Sequence, residues 1–220
     1  MKVCTDACIL GAWFAEKIPQ EATILDIGSG TGLLMMMLAQ KSKAYIHGIE
    51  LDISCFKQLE ENIGHTQWKD RLTVHPGDVR SYAFPQKFDF IITNPPFYEN
   101  DLPSHTEKEK LAKHSRELSL KELLEVLDRN LSVNGSFGIL LPFDRWEYFN
   151  RLSEERDFCM QQKLFLRHSA AHPVTRAILH YSRHKQEYIP TFELNVHQEK
   201  GPAGYTEEFI ELMRDYYLYL

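Results

Sequence analysis

Short apolar runs alternate along the chain with stretches whose apolar positions recur every three or four residues. That is the pattern of β-α-β units around a mostly parallel sheet. Residues 22–26 read as a short buried strand, and residues 33–40 as a helix that begins just past a group of glycines. Residues 44–49 form the second strand, ending at Glu50, and Asp52 caps a helix that runs to about Ile63 with Gly64 as its stop. Residues 71–75 and 88–93 are the third and fourth strands. A polar loop over about 98–105 is followed by a charged stretch, 106–117, where Lys and Glu alternate as on an exposed helix or lid. Ser119-Leu120-Lys121-Glu122 is a capping box, and Leu120, Leu123, Leu124, Leu127 and Leu131 fall on one helical face.

Asn134-Gly135 reads as a turn before a fifth strand at 136–141, and Asp144-Arg145-Trp146-Glu147 opens another helix. Residues 160–167 and 175–183 suit two antiparallel strands joined by a short loop containing Pro173. Phe192, Leu194 and Val196 alternate as a further strand. Thr206 starts a last helix, with Glu207 and Glu208 matching its positive end and Phe209, Leu212, Met213 and Tyr216 turned inward. Residues 216–220 read as a docked helix end. The expected fold is an α/β doubly wound sheet, mostly parallel and closed by an antiparallel β-hairpin. Residues 1–220 are expected to form one domain, with 186–220 as a strand-helix extension packed on it.

Length and composition narrow the possibilities. The 220 residues suit one large α/β domain, and 43% hydrophobic with 12% aromatic residues is enough for a real core. No stretch approaches the ~18 apolar residues of a membrane span, and the opening residues lack a signal-peptide pattern. A cytoplasmic, soluble protein is expected. The four cysteines, Cys4, Cys8, Cys55 and Cys159, make no CxxC pair and read as buried or half-buried thiols in a reducing compartment, and the 10 histidines lack metalloprotease spacing, so no metal is expected. A net charge of −6 argues against a general nucleic-acid coat and leaves room for a local basic face.

Chemistry concentrates at two places. Asp26-Ile27-Gly28-Ser29-Gly30-Thr31-Gly32 is a glycine turn between strand and helix, where backbone can approach a ligand closely. Its last glycine comes one residue earlier than in the dinucleotide fingerprint. That disfavours a pyrophosphate on the helix terminus and favours a nucleoside carrying an amino acid. Asp26 is placed to order the turn and meet an ammonium group, Glu50 to accept from ribose hydroxyls, and Asp78 to accept from an adenine amine. These features point to S-adenosyl-L-methionine, whose sulfonium cation suits carboxylates, carbonyls and aromatic faces.

The second place is Asn94-Pro95-Pro96-Phe97, directly after residues 88–93. An Asn amide oxygen and the Pro95 carbonyl can converge on one exocyclic NH2, with Phe97 stacked on the ring that carries it. Such a group is a poor nucleophile because its lone pair is delocalised. Two acceptors on its N–H groups favour a pyramidal nitrogen and aim the lone pair at a methyl carbon. The plainer reading of these residues is an ordinary strand-ending turn.

The glycine turn followed by Asn94-Pro95-Pro96-Phe97 resembles the class I S-adenosylmethionine-dependent amino-methyltransferases. The opening, from Met1-Lys2-Val3-Cys4-Thr5-Asp6 to Trp13, and the ending, from Tyr205-Thr206-Glu207-Glu208-Phe209 to Tyr217, are similar to those of the bacterial tRNA1(Val) adenine-N6 methyltransferase family. The family has glycine where Cys4 and Cys8 stand. The resemblance implies methyl transfer to the N6 amine of adenine 37 beside the anticodon of tRNA1(Val), and it places Thr5 and Asp6 at the donor pocket. A helix cap is the other reading of those two residues. The tetrad also permits a ribosomal RNA guanine-N2 or protein glutamine-N5 methyltransferase, and a catalytically silent binding domain is a third possibility.

The expected partner is tRNA, with no membrane, and the chain is expected to act as a monomer. Residues 163–185 carry Lys163, Arg167, Arg176, Arg183, Lys185 and four histidines with no acidic residue, which suggests a phosphate-binding edge on the closing hairpin.

Overall fold

A computed structural model describes residues 4–95, 118–199 and 204–219. The elements in chain order are α1 (Thr5–Ala15), β1 (Thr23–Ile27), α2 (Leu33–Lys41), β2 (Tyr45–Glu50), α3 (Ile53–Gly64), β3 (Leu72–Pro76), β4 (Phe88–Thr93), α4 (Leu120–Asn130), β5 (Leu131–Pro142), α5 (Trp146–Glu154), β6 (Cys159–Arg167), β7 (Val174–Ser182), β8 (Thr191–Asn195) and α6 (Glu207–Met213). The eight strands form one sheet in the order β3-β2-β1-β4-β5-β7-β6-β8. Neighbours run parallel except where β7 meets β5 and β6. The doubly wound sheet with its closing antiparallel pair is therefore present, and β8 extends it by one edge strand.

Helices cover both faces because the central strands are apolar on both sides. One core joins Ile9, Phe14, Ile24, Leu38, Leu59 and Phe209, so α1, α2, α3 and α6 share a face. The other joins Leu25, Ile91, Leu124, Leu127, Phe137 and Phe149, beneath α4 and α5. Local signals set the helix starts. The Asp52 side chain accepts from the Ser54 and Cys55 amides, and Ser119 and Glu122 cap each other reciprocally. The Thr206 hydroxyl accepts from the Phe209 amide.

Several expectations need correction. Gly64 stays helical, and the residues past it turn without a left-handed glycine. Asn134-Gly135 is no turn. β5 starts at Leu131, and its register to β4 jumps from Phe88↔Leu131 to Phe90↔Ser136, so residues 132–135 are absorbed as an irregular bulge. Leu131 thus belongs to the strand and not to the helical face of α4. The last helix ends at Met213. Tyr216 and Tyr217 do pack on the core, whereas Leu218 and Tyr219 are 93% and 90% exposed. The readings for 98–105 and 106–117 lie outside the described residues.

Candidate active site

Three adjacent strands end at one level. Ile27 at the end of β1 is in register with Ile49 of β2 on one side and Thr93 of β4 on the other. Gly28, Glu50 and Asn94 therefore leave the sheet side by side, about 4.8 Å apart from strand to strand. This is also where the strand order reverses, because chain succession runs outward through β2 and β3 on one side and through β4 and β5 on the other. Ligands of open α/β sheets bind outside the carboxyl ends of the strands at such a point. The Thr93 hydroxyl donates to the Ile27 carbonyl at 3.0 Å, which locks β4 to β1 just below Asn94.

The glycine turn is built for close approach. Gly28, Gly30 and Gly32 have φ of 72°, 55° and 93°, a region costly for side-chain-bearing residues. A Cβ added at Gly28 would meet nothing within 4 Å, whereas one at Gly32 would strike Leu59 at 2.5 Å. Space thus lies over Gly28, and Gly32 is where α3 packs beneath the turn. The Asn62 amide of α3 donates to the Thr31 carbonyl at 2.9 Å and steadies the turn from below. No motif marked Asn62, because only the packing of α3 brings it there.

Glu50 does two things. One carboxylate oxygen accepts from the Gly30 amide and the other from the Asp52 amide, both at 2.8 Å. Each oxygen retains a further lone pair for a ligand hydroxyl. Asp26 is 1% exposed, and neither of its oxygens has a hydrogen-bond partner of normal geometry. Burial, reinforced by the nearby Glu50 charge, pushes its carboxyl up to about 8, and the Met35 backbone N–H in the first turn of α2 offsets this only in part. Ser29 is buried as well, with its hydroxyl unpartnered. A buried carboxylate and hydroxyl without partners, beneath open space over Gly28, fit a ligand that brings an ammonium group. The residues present therefore suit S-adenosylmethionine.

Gly77 donates to the Glu50 carbonyl at 2.9 Å and so brings Asp78 to the same rim. Arg80 holds the Asp78 carboxylate, with Nε at 3.0 Å from both oxygens and Nη2 at 2.6 Å from one. The Arg80 side chain keeps this carboxyl below the usual range. Arg80 also reaches Glu122 in the α4 capping box at 3.3 Å. Asp78 meets the rim as half of an ion pair, which sequence spacing did not indicate.

Thr5 and Asp6 are not a helix cap. Cys4 occupies that position without a side-chain bond, and both residues sit in the first turn of α1. Asp6 pairs with Arg176 at 3.2 Å, and Thr5 lies near the Tyr217 hydroxyl. Asn94 is half-buried and Pro95 buried. Among the described residues, the Asn94 carboxamide makes no hydrogen bond. Pro96 and Phe97 lie outside the described residues, as does Tyr98.

The four cations expected on one edge are not brought together. β7 runs antiparallel to β5, so Arg176 lies beside Pro142 at the carboxyl end of the sheet, whereas Arg183 follows Ser182 beside Ser136 at the other end. Arg183 pairs with Asp128 and lies over Phe158. Arg167 pairs with Glu193 at 2.8 Å, and Lys163 stands over the Trp146 ring at 4.7 Å. The local lack of acids in 163–185 was real, but acids from α1, α4 and β8 fold onto three of these arginines.

Among the described residues no group of His, Cys, Asp or Glu is arranged to hold a metal, and no helix is long and apolar enough to cross a membrane.

The geometry agrees with comparisons to known proteins. Residues 9–134 match the methyltransferase small domain model. A tRNA1(Val) (adenine(37)-N6)-methyltransferase of Dyadobacter fermentans is 36% identical over 220 residues, covering 99% of this chain and 91% of the relative. The protein of that name from Bacteroides fragilis is 33% identical over 221 residues, with 99% and 91% covered. Among solved structures, a predicted O-methyltransferase from Agrobacterium tumefaciens superposes with a TM-score of 0.72 at 14% identity, over 94% of this chain and 95% of its own. A glycopeptide N-methyltransferase complexed with S-adenosyl-L-methionine superposes with a TM-score of 0.61 at 11% identity, over 84% and 90%. At those identities the structures speak to the fold alone.

Proposed function

The chain belongs to the methyltransferase small-domain family and, within it, to the tRNA1(Val) (adenine(37)-N6)-methyltransferases, and on that footing we propose that it transfers a methyl group to the N6 amine of an adenine in tRNA, adenine 37 beside the anticodon. The observation that carries the reading is the exit of Asn94 from β4 directly beside Gly28 at the reversal of strand order.

S-adenosylmethionine, when bound, supplies an electrophilic methyl group on a sulfonium. The chain's own residues bind and aim. Asp26 and the α2 terminus face the amino-acid end, Glu50 accepts from the ribose hydroxyls, and Asp78 with Arg80 borders the adenine. Thr5 and Asp6 stand at the pocket margin, beside Tyr217 and Arg176. The Asn94 side-chain oxygen and the Pro95 backbone oxygen accept the two N–H groups of the target amine and direct its lone pair, and the Phe97 ring is assigned to stack on the base. Catalysis is then positioning and electrostatics. No base of matched pKa is needed before attack, because the methylated amine sheds its proton readily. A loop base is already partly free of a duplex, so presenting it costs little.

The whole chain acts as one methyltransferase domain, with 186–220 as an extension, and works as a monomer in the cytoplasm, where tRNA is modified. The test is incubation with labelled donor and total tRNA from a strain lacking the enzyme, followed by nucleoside mass spectrometry. Appearance of N6-methyladenosine is the expected result. A methylated guanosine would replace this reading with the guanine-N2 one.

A further inference from the structure

The tip of the β6–β7 hairpin carries a stack of rings whose inner end, Tyr205, rests on the buried Phe209 ring at 4.5 Å and whose outer end is exposed. His168 follows β6, and its ring lies 4.9 Å from that of His172 and 4.5 Å from that of His197. His197 stacks on Tyr205 at 5.0 Å and 24°. His168 and His172 are exposed, and His197 and Tyr205 half-exposed. The backbone beneath is fixed. The His197 amide donates to the His168 carbonyl at 2.8 Å, and His197 and Tyr205 form a β-bridge. The Ser169 hydroxyl, in a 4%-exposed residue, bonds Nδ1 of His172 at 2.9 Å. The rings meet through faces and edges, and no metal-holding arrangement of them is present among the described residues. The stack is thus anchored on the core through Tyr205, and the exposed His168 and His172 at its outer end are the rings open to a further planar group.

Its place follows from the register. Thr93 of β4 pairs with Ile139, and β5 runs on through Pro142, three residues further. At about 3.3 Å per residue, the β5–β7–β6 wall rises roughly 10 Å above Thr93 and about 7 Å above Asn94. Arg176 pairs with Pro142, and Arg167 with Val174 beyond it, so His168 lies higher still on that wall. β6 is three strands from β4, or about 14 Å at the usual strand spacing. The platform therefore stands on the order of 15–20 Å from Asn94, the span of about five nucleotides at the stacked rise of ~3.4 Å.

We infer that His168 and His172, the exposed rings backed by His197 and Tyr205, form a stacking platform for unpaired tRNA nucleotides a few positions from the target adenine. Every base has a π-face, so such a platform gives affinity and register while Asn94 selects the amine. Arg167 and Arg176, paired with Glu193 and Asp6, lie on the same wall. This inference rests on the tRNA reading above.

The test compares wild type with H168A/H172A and with H168F/H172F, which restores flat rings. Binding of tRNA and of S-adenosylmethionine, each alone, is measured alongside thermal melting. Alanine is expected to weaken tRNA binding by about tenfold per ring at fixed salt, phenylalanine to restore most of it, donor affinity to stay as in wild type, and the two variants, which both lose the Ser169 bond, to melt alike. Unchanged tRNA binding in the alanine variant overturns the platform, and so does a phenylalanine variant as weak as the alanine one. If wild type itself neither binds nor methylates tRNA, the tRNA reading fails first, and the platform with it.

Discussion

Asp26 should make this enzyme less stable than it need be at neutral pH. Its carboxyl is pushed from 3.8 up to about 8 by burial, with Glu50 adding to the shift. Between those values the folded chain holds a proton that the unfolded chain has lost, so folded stability falls as pH rises through the window. Each unit is worth about 1.4 kcal/mol. The substitution Asp26→Asn puts a neutral carboxamide of the same shape in its place and carries no such dependence. The quantity to read is the stability of D26N minus that of wild type, which cancels every other titrating group. From pH 5 to pH 7.5 this difference should move in favour of the variant by roughly 3 kcal/mol, measured by urea unfolding at constant ionic strength. Saturating S-adenosylmethionine should flatten the slope, because an ammonium group beside Asp26 favours the carboxylate. Calorimetry in buffers of different ionisation heat should then show proton release on donor binding to wild type and none to D26N. Parallel stability curves for the two proteins would refute the reasoning and mean that Asp26 is ionised in the fold.

Asn94→Ala should lower kcat on the order of 10²–10³-fold with donor affinity nearly unchanged, by methylation kinetics and titration calorimetry, and an equal loss in donor binding would remove its assigned role. Glu50→Ala should weaken donor binding on the order of 10–100-fold, since two charge-assisted hydrogen bonds are lost; the calorimetric Kd decides. Gly138→Ala would set a Cβ 2.3 Å from the Phe14 ring, so it should destabilise by about 1–3 kcal/mol, read as a lower Tm. His180 has a buried Nε2 without a partner and is held neutral by burial and by Lys17, its pKa lowered from 6.5 to about 4. The unfolded chain takes the proton first, so stability present above pH 6.5 is lost as pH falls toward 4, by up to about 3 kcal/mol. The H180L-minus-wild-type difference should rise over that range in urea unfolding.

Much of this protein was written locally. The alternation of apolar runs with helical periods determined the strands and helices, because each strand of a two-faced sheet must be apolar and each helix must bury one stripe. Asp52, Ser119 and Thr206 marked helix starts through bonds that close within three residues. The glycines of 28–32 and the Asn94-Pro95 exit were legible because their chemistry is carried by neighbouring residues. What tertiary structure alone decided was pairing between distant segments. Asn134-Gly135 has every local reason to turn, yet strand β4 captured it as a bulge. Arg176 and Arg183, seven apart in sequence, were sent to opposite ends of the sheet by the antiparallel course of β7, and their acids came from α1 and α4. Asn62 reached Thr31, and Arg80 reached Glu122, only once α3 and α4 had packed. Local sequence fixes what a few covalent bonds can close. Charge pairing and burial depend on which distant surfaces come within a few ångströms, and that is settled by the sheet as a whole.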